Sequence, residues 1–183
     1  MFAAAAVAPE TTLEIVALAR ALQNDPKLIY EFVHNNIDYV PYYGYLKGPI
    51  LTLLDRSGND FDQAALMVAL LRASGVTANF VFGQMNIPNF GASDQRDMQH
   101  WLGVDTDFNI IARVLAFGGI PSTAFTLNTD MDRVWVTANI GGTNHLFDPA
   151  FKVYTETAGI DLKTAMGYTR TDLLTAAGGT SGA

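Results

Sequence analysis

A chain of 183 residues, 49 % hydrophobic and 16 % charged, has the length of one ordinary domain and enough apolar material to build a sizeable core. Its 11 Lys and Arg against 18 Asp and Glu give a net charge of −7 without long runs of one sign, which argues against a nucleic-acid backbone or an anionic membrane surface as partner. The absence of cysteine removes disulfides, thiolate metal sites and thiol catalysis, and three histidines (His34, His100 and His145) are few for a multi-imidazole site.

The opening MFAAAAVAPET lacks the basic stretch and the longer apolar run of a secretory signal, so residues 1–11 read as lead-in. A first helix is predicted from Thr12 to Gln23, with Leu13, Val16, Ala17, Leu18, Ala21 and Leu22 as its apolar stripe and Thr11 or Thr12 as cap. Asn24-Asp25-Pro26 stops it and starts a second helix, whose buried face is Leu28, Ile29, Phe32, Val33 and Ile37. His34 beside that stripe reads as a hydrogen-bonded structural histidine.

Tyr39 to Pro49, with two prolines and two glycines, reads as an extended crossing with turns. Its Tyr42, Tyr43 and Tyr45 either pack conventionally or floor a binding groove. From Asp60 to Ala73 the sequence is apolar almost all round, the mark of a helix enclosed on every side, and Ser74-Gly75 ends it. A strand follows over Val76 to Gly83. Met85 to Gly119 is an excursion carrying a helix from Thr106 to Phe117, with Phe108, Ile111, Ala112, Leu115 and Ala116 inward.

Strands are predicted over Thr123–Leu127, Arg133–Ile140 and His145–Phe147, with Gly141 to Asn144 turning the last two into a hairpin. Short helices over Leu162–Met166 and Thr171–Ala176 complete the chain, and the small, uncharged end AAGGTSGA reads as a flexible linker. No apolar run approaches the roughly 18 residues of a membrane span. Helices first and antiparallel strands after make an α+β layout, divided as lead-in 1–11, domain 12–168 and a short helix with tail 169–183.

Polar residues decide the functional reading. Asp60 before the buried helix, with Gln63 three residues on, forms a capping box at the positive end of the helix dipole, and a structural cap accounts for it fully. On the hairpin, alternation puts Val134, Val136, Ala138 and Ile140 on one face and Arg133, Trp135, Thr137 and Asn139 on the other. A two- or four-residue turn places Asp148 opposite Trp135 or Thr137, on the face of Arg133. Diagonal neighbours roughly 7–8 Å apart then let guanidinium and carboxylate meet; as a surface pair this would contribute only about 0–1 kcal/mol.

GNDFDQAALMVALLRASGVTANFVFG (58–83), followed by RVWVTANIGGTNHLFDPAFK (133–152), with LIYEFVHNNIDY and WLGV in the same order, resembles the transglutaminase-like superfamily of the papain-like fold. The likeness is to versions carried by large secreted or surface bacterial proteins with RHS-type repeats. It implies helices packed on an antiparallel sheet around a buried central helix. It also implies a cysteine nucleophile at the head of that helix, a histidine heading a strand and an acid on the next. Residue by residue, those positions fall on Asp60, Arg133 and Asp148, of which the acid alone is kept. A carboxylate is a poor acyl-transfer nucleophile, and a guanidinium cannot act as general base at neutral pH. The signs of the thiolate–imidazolium pair survive, so Asp60, Arg133 and Asp148 are expected to form a fixed polar triad between helix and sheet.

Three functions are distinguished. One is a catalytically inactive module serving structure or protein interaction within a larger exported bacterial protein, at the cell surface or secreted. Its partners would be neighbouring domains and a peptide or protein ligand, with Tyr42, Tyr43, Tyr45 and Trp135 lining the old cleft. Another is a hydrolase or amidase with a non-cysteine nucleophile, for which Ser57 with His100 and an Asp has no supporting spacing. The last is an adhesion or carbohydrate-binding domain, without the regular aromatic spacing that would favour it. His145 points away from Asp148 by alternation. Asp60, Asp62 and Asp148 lack the pattern of a calcium loop, and no metal or cofactor is expected.

Overall fold

The computed structural model describes residues 12–152, 160–167 and 169–179. The lead-in, the expected domain limit at Tyr168 and the last residues of the tail lie outside them. Helix α1 (Leu13–Ala21) is capped by Thr12, and α2 (Pro26–Asn36) by Asp25, whose carboxylate accepts the Lys27 and Leu28 N–H groups ahead of the Pro26 first turn. A two-residue strand β1 (Asp38–Tyr39) leads into the tyrosine segment. Helix α3 (Gly48–Asp55), absent from the sequence expectation, follows, and β2 (Ser57–Gly58) pairs with β1 in parallel. Helix α4 (Asp60–Ala73) is buried from Ala64 to Leu71. It is enclosed by α1, α2 and α3 on one side and by the sheet on the other, as an all-round apolar helix requires.

Strand β3 (Thr77–Pro88) leads to α5 (Met98–Leu102), α6 (Phe108–Phe117) and β4 (Ser122–Ala124). Then come β5 (Asn128–Ile140), β6 (Thr143–Phe147), α7 (Leu162–Ala165) and α8 (Arg170–Ala176). The fold is α+β with an antiparallel sheet in which β3 runs along one edge of β5 from Thr77↔Asn139 to Pro88↔Asn128 without a slip. The hairpin turn is only Gly141-Gly142, both at positive φ, the geometry of a two-residue loop that follows the strand twist. On α6, Ile111 and Leu115 point inward as expected, but Ala116 and Phe117 are exposed.

Strands β3 and β5 are each longer than the sequence pattern predicts, and the reason lies in β5. Thr129, Met131 and Arg133 are buried on one face, then Val134, Val136 and Ala138 on the other. The even-numbered half packs on α4. The odd-numbered half packs under a second core of Met98, Trp101, Ile111, Leu115 and Ile120. Each half alternates correctly, but the phase reverses where the two cores meet, and that reversal hides the strand from a search for one continuous alternation.

Buried polar groups at the head of α4 tie these layers together. Asp62 Oδ1 accepts the N–H groups of Leu46, Lys47 and Gly48 at 3.1, 2.9 and 3.1 Å, so a carboxylate on α4 satisfies the N-terminus of α3, where Lys47 supplies no side-chain cap. Lys152, 2 % exposed, donates to the carbonyls of Val33, His34 and Pro149 and to Gln63 Oε1, joining the end of α2, the head of α4 and the chain beyond β6. Burial pulls its pKa down to about 7 against the attraction of Asp148 and Asp38. Four oxygen acceptors without a donor suit the three-proton ammonium. Replacing Lys152 by Met is expected to cost about 1–3 kcal/mol through the orphaned acceptors, measured as a lower urea midpoint with unchanged slope.

Candidate functional site

β4 pairs with β5 over Thr129–Met131 and β6 over Val136–Ile140, both on the edge that β3 leaves free. Between them that edge of β5 has no strand partner among the described residues. Asp132 donates its N–H to the Pro121 carbonyl at 3.0 Å, and Val134 donates to Asp60 Oδ2 at 2.8 Å. The head of α4 thus plugs the gap in the sheet edge with a carboxylate. Asp60 is 4 % exposed and is the first residue of the helix. The cap is Asn59, whose side chain accepts the Asp62 N–H at 2.9 Å and donates to the carbonyls of Tyr42 and Gly44. The expected capping box is therefore corrected on both members. Gln63 reaches the Gly58 and Asp38 carbonyls and Lys152 instead of returning to a cap, because the cap position needs an extended backbone and falls one residue earlier.

Arg133, fully buried, donates Nη1 to Asp148 Oδ2 at 2.6 Å and Nη2 to Oδ1 at 3.0 Å, the bidentate fork that guanidinium and carboxylate geometry favours. Its Nε lies 4.0 Å from Asp60 Oδ2 and has no hydrogen-bond partner among the described residues. The guanidinium carbon sits 4.3 Å from the Trp101 ring centroid and 5.4 Å from that of Phe151, within cation–π range. Trp101 is itself held by its Nε1–H on the Ala150 carbonyl. Asp148 Oδ1 also accepts the N–H groups of Ala150 and Phe151. The three residues are thus brought together with one cation between two carboxylates.

The electrostatic consequence falls on Asp60. Burial pushes its pKa up, to about 6, the effect of Asp148 adding to it and those of Arg133 and the Val134 N–H opposing it. Arg133 commits both terminal nitrogens to Asp148, so Asp60 receives only its more distant attraction. Tyr39, whose hydroxyl is buried without a partner among the described residues, is held above the ordinary phenol range by burial and the Asp60 charge.

The aromatic residues expected at a cleft have separate employment. Tyr42 donates its hydroxyl to Asp62 Oδ2; Tyr43, partly exposed, meets Phe61 edge-on; Tyr45 lies over Gly48. Trp135 crosses Gly83, where a Cβ would stand 2.7 Å from its ring. The segment carrying the tyrosines is anchored to the end of α6 by the Tyr43 N–H on the Gly118 carbonyl, and a side chain at Gly118 would fall 2.3 Å from the Pro41 oxygen. Ser57 is bound by Lys47, while His100 pairs with Asp97 at 2.6 Å. His34 is hydrogen-bonded as expected, to Asn35 and the Phe151 carbonyl. Asn59, Asp62 and Lys152 escaped the sequence reading as members of one network. For Asn59 and Asp62 the available signal was polarity at the head of an otherwise apolar helix; Lys152, beyond β6, joins them only in the tertiary structure.

A family model of the transglutaminase-like superfamily matches residues 9–109, more than half of the chain. The chain belongs to the transglutaminase-like superfamily. The matched stretch contains Asp60 and ends before Arg133 and Asp148, so the meeting of the three is a fact of this domain's tertiary structure. No curated protein matches the chain. Among solved structures it is similar to a candidate protease from Parabacteroides distasonis (14 % identity, TM-score 0.43, covering 73 % of this chain and 22 % of that one). It is also similar to a candidate cysteine protease from Cytophaga hutchinsonii (17 % identity, TM-score 0.42, 79 % and 40 %). The transglutaminase-like chain described here thus spans less than half the length of either.

Removing the guanidinium of Arg133 leaves the buried Asp60 carboxylate and the partly buried Asp148 carboxylate uncompensated. Arg133→Ala is expected to lower stability by about 3–5 kcal/mol, read by chemical denaturation. For Asp60, a folded pKa above the unfolded value means that the folded state binds more protons between about pH 4 and 6; stability is then lost as pH rises through that window. Asp60→Asn is expected to gain on the parent protein from pH 4 to pH 7 by on the order of 1–3 kcal/mol. Parallel denaturation curves at the two pH values check this.

Proposed function

We propose that this domain is a catalytically inactive transglutaminase-like module, in which a carboxylate–guanidinium–carboxylate lock occupies the place where active relatives keep a thiol and an imidazole. The observation that carries this reading is the state of Arg133. It is fully buried and lies against two neighbouring aromatic rings, with both terminal nitrogens committed to Asp148. A general base must exchange a proton with a substrate it can reach, and a guanidinium that keeps its proton at neutral pH does not do so. Asp60 is equally committed, its Oδ2 accepting the Val134 N–H and its Oδ1 the Phe61 N–H.

In this reading the lock holds the two cores in register, and the module serves structure or protein interaction. We place it within a larger exported bacterial protein, secreted or at the cell surface and of the kind that carries RHS-type repeats, with neighbouring domains as its first partners. This context rests on the sequence resemblance of the α4 and hairpin segments.

The test is an activity measurement with a stability control. Purified protein offered fluorogenic peptides, and a glutamine-containing protein with a primary amine, is expected to release no product and incorporate no amine above a heat-treated blank. Turnover that disappears in Asp60→Ala while the circular dichroism spectrum is kept would replace the inactive reading with that of a hydrolase using an unconventional nucleophile.

A further inference from the structure

Beside Asp148 the surface opens into a cleft of about 590 Å³, within the range of about 300–1,000 Å³ of small-molecule sites. Asp148 forms part of its wall, but Asp60 and Arg133 do not line it. Its apolar lining comes from Met85 and Ile87 on β3, Leu146 on β6, and Phe151. Leu146 is 68 % exposed, so a large hydrophobic surface stands open at the mouth.

The polar groups are unequal in what they still have to offer. Asp148 spends both oxygens on Arg133 and on the N–H groups of Ala150 and Phe151, which leaves little for a cation. His34 has both ring nitrogens against oxygens of Asn35 and Phe151. The Asn86 amide donates to Asp130. Two donors remain. Among the described residues Arg96 has as its ion-pair neighbour only Asp94 at 3.9 Å, and both side chains are about two-thirds exposed, so this pair binds weakly and most of the guanidinium fork is available. The Tyr30 hydroxyl makes no hydrogen bond among the described residues and lines the same cleft as Arg96; burial and the Asp148 charge hold it above the ordinary phenol range, with Arg96 opposing them, so it stays a donor. A cation and a hydroxyl donor thus face an apolar floor, in a molecule whose net charge of −7 otherwise repels anions.

We propose that this cleft binds an organic carboxylate carried on an apolar stem, the carboxylate on the Arg96 guanidinium and the Tyr30 hydroxyl and the stem against Met85, Ile87 and Phe151. Arg96 supplies the planar fork that a carboxylate fits, and the apolar wall rewards burial of the stem. Such a group is presented by the C-terminus of a peptide with an apolar last residue, or by a free medium-chain acid.

The test is an NMR titration of the full chain with methyl-labelled Met and Ile, using three probes: a short peptide ending in a free leucine carboxylate, the same peptide amidated, and octanoate. Saturable shifts of Met85 and Ile87 are expected with the peptide acid or octanoate, and about tenfold weaker binding with the amide. Arg96→Gln, a change at an exposed side chain outside the lock, is expected to weaken the binding acid about tenfold, whereas Lys27→Gln leaves it unchanged. Whichever acid saturates the cleft identifies the source. Equal binding of acid and amide, indifference to Arg96→Gln, shifts confined to other residues, or no saturable shift would each overturn the proposal.

Discussion

A single hydrogen bond between unlike elements organises this domain. The Val134 N–H faces a stretch of sheet edge that neither β4 nor β6 covers, and the Asp60 carboxylate at the head of α4 accepts it. An unpaired buried N–H would cost on the order of 1–3 kcal/mol, so the sheet needs an acceptor there, and the helix brings one that suits the positive end of its own dipole. The cost is a charge out of water. Arg133 offsets it from 4.0 Å, and Asp148 in turn holds the guanidinium by its fork.

The same end of α4 carries further buried polar groups. Asn59 and Asp62 hold the tyrosine segment and start α3, and Gln63 meets the Lys152 ammonium. Below that point the helix is apolar on every side. Polar contacts therefore set the position and rotation of α4 at one end, where direction matters, while non-directional burial supplies stability along its length. Buried ionic groups contribute less to stability than their number suggests. Their use here is to make one arrangement of helix and sheet far better than its neighbours.

How legible this was depends on the range of the interaction. Helices α1, α2, α4 and α6 show in the sequence because caps, prolines and apolar spacing act within a few residues, although α1 turns Ile15 and Ala19 inward and leaves Leu13 of the expected stripe exposed. The hairpin register, and with it the approach of Asp148 to Arg133, follows from strict alternation and a Gly-Gly turn. α3 is capped by a residue of another helix, α5 is too short to show a period, and β5 changes its buried face midway.

The composition alone settled that this chain carries no thiol, and the local patterns settled an enclosed helix followed by antiparallel strands. Which carboxylate caps α3, which one enters the sheet and which one grips the guanidinium were decided only by tertiary structure. Asp60, Asp62 and Asp148 are chemically alike, and a carboxylate acquires its role from the donors that long-range packing brings to it.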